Sequence, residues 1–293
     1  MARQLTGDVA FAGANHLGES VVWDDRSGEL VWIDIHRGKL ERWRADSGRA
    51  TVDLGERIGA VGLRTAPGFV AAFATGFALL GADAETEQTL STVEEHLEST
   101  RLNDGKVDRQ GRFICGGMDE GDPQRPLSAV YRLDPGGEVH RILDGIACAN
   151  SIAFSPDGTR MYFTDMPTGQ ILVYDYDTDE GVPHSPRVFV DGSEHPGLPD
   201  GSTVDAEGCL WNARWGAGAV IRYTPDGAVD TVVRVPAANP TCPAFGGHDL
   251  STLFVTSARF GRTAEQLADE PLAGAVFAVD PGTPGVVEPR FAG

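Results

Sequence analysis

The stretch NSIAFSPDGTRMYFTDMPTGQILVYDYDTDEG, residues 150–181, decides the fold of this chain. It contains three short apolar runs rich in β-branched and aromatic residues, and each run is followed by turn-forming residues. SPDG at 155–158 has proline in its second and glycine in its fourth position, which type I turns prefer. The pattern predicts an inner strand followed by a pair of strands, all joined by turns.

Similar units recur along the 293 residues. They start at Gly28, Gly68, Gly111, Gly158, Gly208 and Ser251, so successive starts are 40, 43, 47, 50 and 43 residues apart. The average of about 49 residues per unit lies in the range of propeller blades. Stretches between the units, such as SVVWDD (20–25) and GSTVDAEG (201–208), add one inner strand each. We therefore predict an all-β fold, a six-bladed β-propeller with four-stranded antiparallel blades around a central channel, as one domain over residues 1–293.

The ends of this array need closing, and helices are almost absent from the prediction. QLTGDVAFAG (4–13) is predicted to supply a strand that closes the ring against the last blade, because closure removes exposed strand edges. TVEEHLEST (92–100) and TAEQLADE (263–270) are the two stretches predicted to form short helical turns.

Composition restricts the partners of this protein. The formal charge of −19 repels phosphate backbones and anionic lipid, so we predict neither nucleic acid nor a membrane as partner. No apolar run is long enough for a membrane span or a signal peptide. The cysteines lack CxxC spacing, which argues against structural zinc and a disulfide framework. We expect reduced cysteines, buried at Cys115, Cys148 and Cys209, in a cytoplasmic monomer or weak homodimer.

Polar residues stand at the start of four predicted inner strands, where the loops of a propeller crowd one mouth of the channel. These residues are Glu19, then Arg101, Asn103 and Asp104, then Asn150, and finally Asp200. One oxygen donor from each of the four entries, two charged and two amide in all, would suit a hard divalent cation. The alternative is that each Asp-Gly or Asn-Asp-Gly step is only a turn.

Five stretches resemble the senescence-marker-protein/gluconolactonase/regucalcin family, in family order and spacing. They are LGESVVWDDRSGELVWIDI (17–35), RLNDGKVDRQGRFICGGM (101–118), ANSIAFSPDGTRMYFTDMPTGQILVYDYD (149–177), GLPDGSTVDAEGCLWNARWGAGAVIRYTPDG (197–227) and CPAFGGHDLSTLFVTSAR (242–259). The resemblance implies an enzyme, a lactonase that uses one divalent cation to hydrolyse a sugar lactone to the free aldonic acid. The example substrates are glucono-, xylono-, arabinono- and galactonolactone.

The resemblance also implies roles for individual residues. It makes Glu19, Asn150 and Asp200 the metal ligands, and Arg101, Asn103 and Glu120 the substrate contacts, with Asn103 also a ligand or near-ligand of the metal. Ser20 and Ser151 depart from the family, which usually has glycine at the first position and often at the second.

The expected chemistry follows from these residues. The cation polarises the lactone carbonyl and stabilises the oxyanion. Asp200 is the favoured general base for the attacking water, with Asp104 as the second candidate. Ligands that are all oxygen favour Ca²⁺, while Zn²⁺, Mg²⁺ or Mn²⁺ stay possible.

Two other functions stay open at this point. One is a calcium-binding regulatory protein without catalysis, and the other is a phosphotriesterase or arylesterase on the same propeller. A serine hydrolase is disfavoured because no GxSxG motif occurs. His16 and His195 lie near the site loops and are candidate substrate contacts, while His248 is interpreted as structural. Trp211 and Trp215 are interpreted as core or channel wall, with sugar stacking as the alternative.

Overall fold

A computed structural model describes residues 2–293, with the side chain of Glu194 excepted. Its strands form six sheets, and the first strands of neighbouring sheets contact one another in a closed ring. The prediction of a six-bladed propeller with four-stranded antiparallel blades is confirmed. Each blade runs from an inner strand at the channel to an outer strand at the surface.

The strands are numbered in chain order. The chain begins with β1 (Arg3–Thr6) and β2 (Asp8–Phe11). Blade 1 comprises β3 (Gly18–Asp24), β4 (Glu29–Asp34), β5 (Lys39–Arg44) and β6 (Gly48–Asp53). Blade 2 comprises β7 (Ile58–Leu63), β8 (Phe69–Phe73), β9 (Gly76–Leu80) and β10 (Thr86–Thr92). Blade 3 comprises β11 (Thr100–Val107), β12 (Phe113–Asp119), β13 (Ser128–Leu133) and β14 (Val139–Ile146).

The second half of the chain continues the pattern. Blade 4 comprises β15 (Ala149–Phe154), β16 (Arg160–Asp165), β17 (Ile171–Asp177) and β18 (Val182–Val190). Blade 5 comprises β19 (Leu198–Val204), β20 (Leu210–Trp215), β21 (Ala219–Tyr223) and β22 (Val229–Arg234). Blade 6 comprises β23 (Pro240–Gly246), β24 (Thr252–Ser257) and β25 (Val276–Val279). Short 3₁₀ helices cover Met166–Thr168 and Gly192–Glu194.

The N-terminal strands close the ring. β2 pairs antiparallel with β25 and becomes the fourth strand of blade 6, as predicted. β1 pairs parallel with β22 and adds a fifth strand to blade 5, which the sequence did not indicate. The first residues of the chain therefore pair with strands of the last two blades. Closing the ring in this way removes the strand edges that a linear array would expose.

The turn chemistry works as the sequence predicts. In SPDG, Gly158 has a φ of +74°, and its N–H donates to the Ser155 carbonyl over 2.9 Å. The Asp157 carboxylate accepts from the Thr159 N–H at 3.1 Å, which fixes the far side of the turn. This turn sends β15 into β16 with the register that buries Phe154 opposite Met161.

Of the two predicted helical turns, one is confirmed and one is wrong. α1 (Ala264–Asp269) begins after Thr263, whose hydroxyl accepts from the Gln266 N–H while the Gln266 side chain accepts from the Thr263 N–H. Residues 92–100 form turns instead. Glu94 has a φ of +59°, and its buried carboxylate accepts from Ser128 and Tyr131 of blade 3. These tertiary contacts outweigh the helical preference of the segment.

The C-terminal segment, residues 283–293, crosses the end of the channel opposite the loops that lead into the inner strands. Phe291 is buried and donates its N–H to the Leu63 carbonyl of β7 at 2.8 Å. Glu288 meets the partly buried Lys106 of β11 at 2.9 Å. The space enclosed between this segment and the inner strands is only about 10 Å³. We call this sealed side the closed end and the opposite side the mouth.

No helix in the described part of the chain is long and apolar enough to cross a membrane. All four cysteines are unpaired thiols and buried, which confirms the expected burial of Cys115, Cys148 and Cys209 and adds Cys242.

Candidate active site

A cavity of about 260 Å³ lies at the mouth of the channel, and we call it the inner compartment. Its lining comprises Leu17, Glu19, Arg101, Asn103, Met118, Gln124, Cys148, Asn150, Met166, Leu198, Asp200, Trp215 and Phe260. The structure therefore brings together five of the six predicted site residues from inner strands β3, β11, β15 and β19. Their roles stay predictions, but their convergence is a property of the fold.

A register irregularity in each inner strand aims these side chains at the channel. The pairing shifts between Glu19 and Val22 in β3, between Asn150 and Ala153 in β15, and between Pro199 and Ser202 in β19. β7, β11 and β23 have shifts at related positions. A bulge of this kind leaves residues unpaired and re-aims the neighbouring side chain. The predicted ligands thus stand at the one place where each inner strand departs from regular pairing.

Ser20 and Ser151, which follow two of the predicted ligands, both adopt a left-handed backbone conformation. Their φ values are +48° and +62°, a region that costs most L-residues about 1–2 kcal/mol. Both hydroxyls make new bonds between blades. Ser20 Oγ accepts from the Val61 N–H at 2.9 Å, and Ser151 Oγ donates to the Asp200 carbonyl and accepts from Asn212 Nδ2 at 3.1 Å.

Three buried carboxyl groups face one another here. Burial and the nearby Asp104 raise the pKa of Glu19 to about 8. Burial and the nearby carboxylates of Glu19 and Asp104 raise the pKa of Asp200 well above its usual range. Burial raises the pKa of Asp104 to about 6, although its Oδ2 accepts from the Ile152 N–H at 2.9 Å. Simultaneous ionisation of all three carboxyl groups is therefore unfavourable in the absence of a bound cation.

The nearby cationic side chains are occupied elsewhere. Arg101, itself buried, meets Glu120 at 3.3 Å and donates to Asn103 Oδ1 at 2.7 Å. Lys106, two residues after Asp104 on β11 and nearer the closed end, pairs with Glu288. No ion pair in residues 2–293 joins either cation directly to Glu19 or Asp200. Two buried carboxylates without a paired cation are costly unless a further cation binds.

The amide groups complete the ring of oxygen donors. Asn103 Nδ2 donates to the Ala149 carbonyl at 2.8 Å and lies 3.3 Å from Asn150 Oδ1. This contact fixes the orientation of the Asn150 amide, whose Nδ2 lies 3.4 Å from Met166 Sδ. Asn103 thus connects Arg101 on one side with Asn150 on the other.

The donor set fits a hard divalent cation. Glu19 and Asp200 supply charged oxygens and Asn150 supplies a neutral one, all buried around one cavity. Within residues 2–293, no three His, Cys, Asp or Glu side chains are spaced as a metal cluster, and the predicted ligand set differs from such a cluster by including the Asn150 amide oxygen. The fold and this cavity define a propeller with buried carboxylate and amide oxygens around a pocket at its mouth.

Glu120 occupies a different place from the other predicted site residues. It is exposed at the rim, pairs with Arg57 at 2.7 Å and does not line the inner compartment. It lines an adjoining cavity of about 810 Å³, which we call the outer compartment. The lining of that cavity comprises His36, Arg57, Arg101, Met118, Glu120, Gly121, Asp122, Pro123, Gln124, Pro167 and Phe260.

Several residues of both compartments were not predicted from the sequence. Phe260 and Gln124 line both cavities, and His36 lies beside His16 with their Nδ1 atoms 2.9 Å apart. Phe260 and Gln124 lie on connecting segments outside the repeated strand pattern, and no signal in one sequence marks them. Of the tryptophans, Trp211 is fully buried in the core, and Trp215 lines the inner compartment.

Comparisons with known proteins agree with this architecture. Residues 17–259 match the SMP-30/Gluconolactonase/LRE-like region. L-arabinolactonase from Azospirillum brasilense is 41% identical over 283 residues, which cover 95% of this chain and 93% of that protein. The 6-deoxy-6-sulfogluconolactonase from Pseudomonas putida is 39% identical over 280 residues, covering 94% and 95%. A crystal structure from Agrobacterium tumefaciens, described as the calcium-binding protein regucalcin, has a TM-score of 0.93 and 32% identity over 99% of both chains.

The chain belongs to the SMP-30/gluconolactonase/LRE-like family. The predicted family is confirmed, and the predicted enzyme class, a lactonase, is confirmed with it.

Proposed function

We propose that this enzyme hydrolyses a sugar lactone to the free aldonic acid and depends on a divalent cation held by Glu19, Asn150 and Asp200. The observation that carries the proposal is the buried pair Glu19 and Asp200, which faces Asp104 without a paired cation while Arg101 and Asn103 stand beside it. A bound cation supplies Lewis acidity to the lactone carbonyl and charge stabilisation to the oxyanion. Ca²⁺ is the favoured ion because all three donors are oxygens.

Arg101 and Asn103 bind and orient the substrate in this proposal. Arg101 is held by Glu120, by the Leu102 carbonyl at 3.0 Å and by Asn103. A guanidinium fixed by three acceptors loses little freedom when its remaining N–H groups meet ring oxygens. These two side chains therefore reduce the entropy cost of placing the lactone carbonyl in the inner compartment.

Asp200 is the better general base of the two candidates. Asp104 Oδ2 already accepts the Ile152 N–H, which links β11 to β15. Burial and the carboxylates of Glu19 and Asp104 raise the pKa of the Asp200 carboxyl well above its usual range, whereas a bound cation favours its ionised form. Asp200 can then accept a proton from the attacking water, which makes its basicity depend on the cation.

The decisive experiment measures acid release from a panel of aldonolactones, with the spontaneous rate subtracted. We expect wild-type activity to disappear with chelator and to return with Ca²⁺, and Mg²⁺, Mn²⁺ and Zn²⁺ are compared in parallel. Asp200→Ala and Asn150→Ala should abolish activity, while Glu95→Ala, on an exposed loop that lines neither cavity, is the control. An enzyme that opens lactones equally well after complete removal of metal would contradict the cation dependence.

A second candidate is calcium binding without catalysis, which the likeness to the calcium-binding regucalcin structure favours. Both functions predict that Ca²⁺ binds and that Asp200→Ala weakens its binding. They differ in turnover. Calcium binding by a protein that opens no lactone faster than buffer does would support the second candidate and reject the first.

A further inference from the structure

We propose that the outer compartment is a substrate subsite for an uncharged, hydroxyl-rich group attached to the lactone, such as a glycosyl unit. The inference rests on the proposed function, because it assigns the lactone ring to the inner compartment. The two cavities join across four shared residues: Arg101, Met118, Gln124 and Phe260.

The sizes of the two cavities suggest two different occupants. The inner compartment, about 260 Å³, is slightly below the usual range of small-molecule sites and suits a single ring. The outer compartment, about 810 Å³, is three times as large and opens directly from it. A simple aldonolactone leaves most of this continuous cavity to water.

The walls of the outer compartment are already in place. Arg57 and Arg101 both meet the Glu120 carboxylate, at 2.7 and 3.3 Å. Gln124 Nε2 donates to the Asp119 carbonyl at 3.3 Å, and Asp119 is fully buried. A surface held in this way does not need to be ordered when a ligand binds, which favours affinity.

The charges of the outer compartment cancel. Arg57 and Arg101 contribute two positive charges, and Glu120 and Asp122 contribute two negative ones. Burial and the nearby Arg101 guanidinium lower the pKa of His36 to about 4, so this side chain is neutral at pH 7. A site of this kind offers donors and acceptors in equal measure, which suits hydroxyl groups better than an ionic substituent.

Phe260 supplies the apolar surface that a sugar ring requires. It is 45% exposed, which is unusual for a large aromatic side chain at a concave surface. Its backbone is nevertheless fixed, because its N–H donates to the His16 carbonyl at 2.8 Å and its carbonyl accepts from Asn239 Nδ2 at 3.0 Å. Its ring packs edge-on against His36, with centroids 4.6 Å apart. The other part of the ring is free to cover the C–H face of a bound sugar.

The test compares D-glucono-1,5-lactone with cellobiono-1,5-lactone, which carries a glucosyl group on the same lactone ring. We expect the wild-type kcat/KM for the glucosylated lactone to be about fivefold higher, through a lower KM at similar kcat. Pro167→Trp, which fills the outer compartment only, should bring this ratio to about one. Phe260→Ala should reduce the ratio similarly while the affinity for Ca²⁺, measured by calorimetry, is unchanged.

Glu95→Trp is the matched control, since Glu95 is exposed on the loop before β11 and lines neither compartment. It should keep the wild-type ratio. A wild-type ratio of one or less, or an unchanged ratio in Pro167→Trp, would overturn the subsite.

Failure of the lactonase proposal has a separate signature. If the wild-type enzyme opens neither lactone, calorimetry with gluconate and cellobionate still decides the subsite. Tighter binding of cellobionate that Pro167→Trp abolishes supports it, and equal binding of the two acids rejects it.

Discussion

Buried carboxylates at the two ends of the channel have opposite surroundings. Asp200, near the start of β19, and Asp205, directly after its end, are both almost completely buried. At the closed end, the Asp205 carboxylate accepts from the backbone N–H groups of Glu207 and Cys209, each at 3.0 Å. It also accepts from Trp211 Nε1 and Arg222 Nε, both at 2.8 Å. At the mouth, Asp200 faces other carboxyl groups.

The same contrast recurs on blade 3. Asp108, after β11, accepts from the Arg112 N–H at 2.8 Å and the Tyr176 hydroxyl at 2.9 Å, and pairs with the Arg112 guanidinium. Asp104, on β11 itself, accepts from the Ile152 N–H at 2.9 Å but, within the described residues, pairs with no cation directly and lies near the Glu19 and Asp200 carboxyl groups. Buried charge with a full set of donors stabilises turns, whereas buried charge without one requires something from outside the chain. The difference teaches which carboxylates are structural and which are available for chemistry.

The largest expected effect comes from the mouth. Asp200→Asn keeps the shape of the side chain but removes both a ligand charge and the proposed base. We expect kcat/KM on the best lactone to fall by about a thousandfold or more, with the protein still folded. Initial-rate assays at saturating Ca²⁺ measure this, together with circular dichroism. A variant that retains a tenth of the activity would show that Asp200 is not central.

The matched substitution at the closed end should reverse the pattern. Asp205→Asn replaces an acceptor of four hydrogen bonds and leaves Trp211 and Arg222 with poorer partners. We expect a loss of about 3 kcal/mol in the free energy of unfolding, with kcat/KM of the folded fraction near that of wild type. Urea denaturation measures the loss. Equal losses of kcat/KM in Asp200→Asn and Asp205→Asn would contradict the distinction between carboxylates for chemistry at the mouth and structural carboxylates at the closed end.

The pH dependence of stability should differ between metal-free and Ca²⁺-bound protein. The pKa of Glu19 is about 8 in the folded protein and near 4.5 when unfolded, so the folded state binds more protons between these values. Stability of the chelated protein must therefore fall as pH rises through this window, by roughly 1–3 kcal/mol. Thermal unfolding at pH 5, 6.5 and 8.5 tests this. Glu19→Gln and added Ca²⁺ should each flatten the profile, and a chelated protein that gains stability over this range would contradict it.

The smallest expected effect concerns the hydrogen bond from Ser151 Oγ to the Asp200 carbonyl, which joins β15 to β19. Ser151→Ala keeps the positive φ but removes the hydroxyl contacts with Asp200 and Asn212, so we expect a loss of about 2 kcal/mol. Ser151→Gly loses the same contacts but relieves the backbone, so its loss should be about 1 kcal/mol smaller. Denaturant titration of the two variants side by side measures the difference. If alanine is tolerated better than glycine, the backbone at residue 151 is not strained.

Much of the fold was predictable because its signals are local. Apolar runs, SPDG and TPDG turns and a repeat of 40 to 50 residues indicate the blades without any long-range information. Repetition also helped with the site, since Glu19, Asn150 and Asp200 occupy the same place in three repeats. The resemblance to a family then gave these positions expected roles, which the geometry accommodates without testing them.

Other features could not be predicted because their causes lie far away in sequence. Residues 92–100 read as helical, but Glu94 is drawn into blade 3 by Ser128 and Tyr131. β1 pairs with β22 of blade 5, and Phe291 donates its N–H to the Leu63 carbonyl of β7. In both cases the paired residues are more than two hundred positions apart in the sequence. Glu120 stands just after the family-like stretch 101–118, but it lines the outer compartment and not the inner one.

The sequence by itself determined the number of blades, the turns between their strands and the positions of the carboxylates, because strand and turn preferences act between near neighbours. Only the tertiary structure decided which carboxylates receive donors and which are left facing one another. Closure of the ring and the course of the C-terminal segment bring Arg222 to Asp205 and Glu288 to Lys106, and they bring no such partner to Asp200. The physical reason is that electrostatic neutralisation depends on distance in space, and the order of residues does not contain that distance.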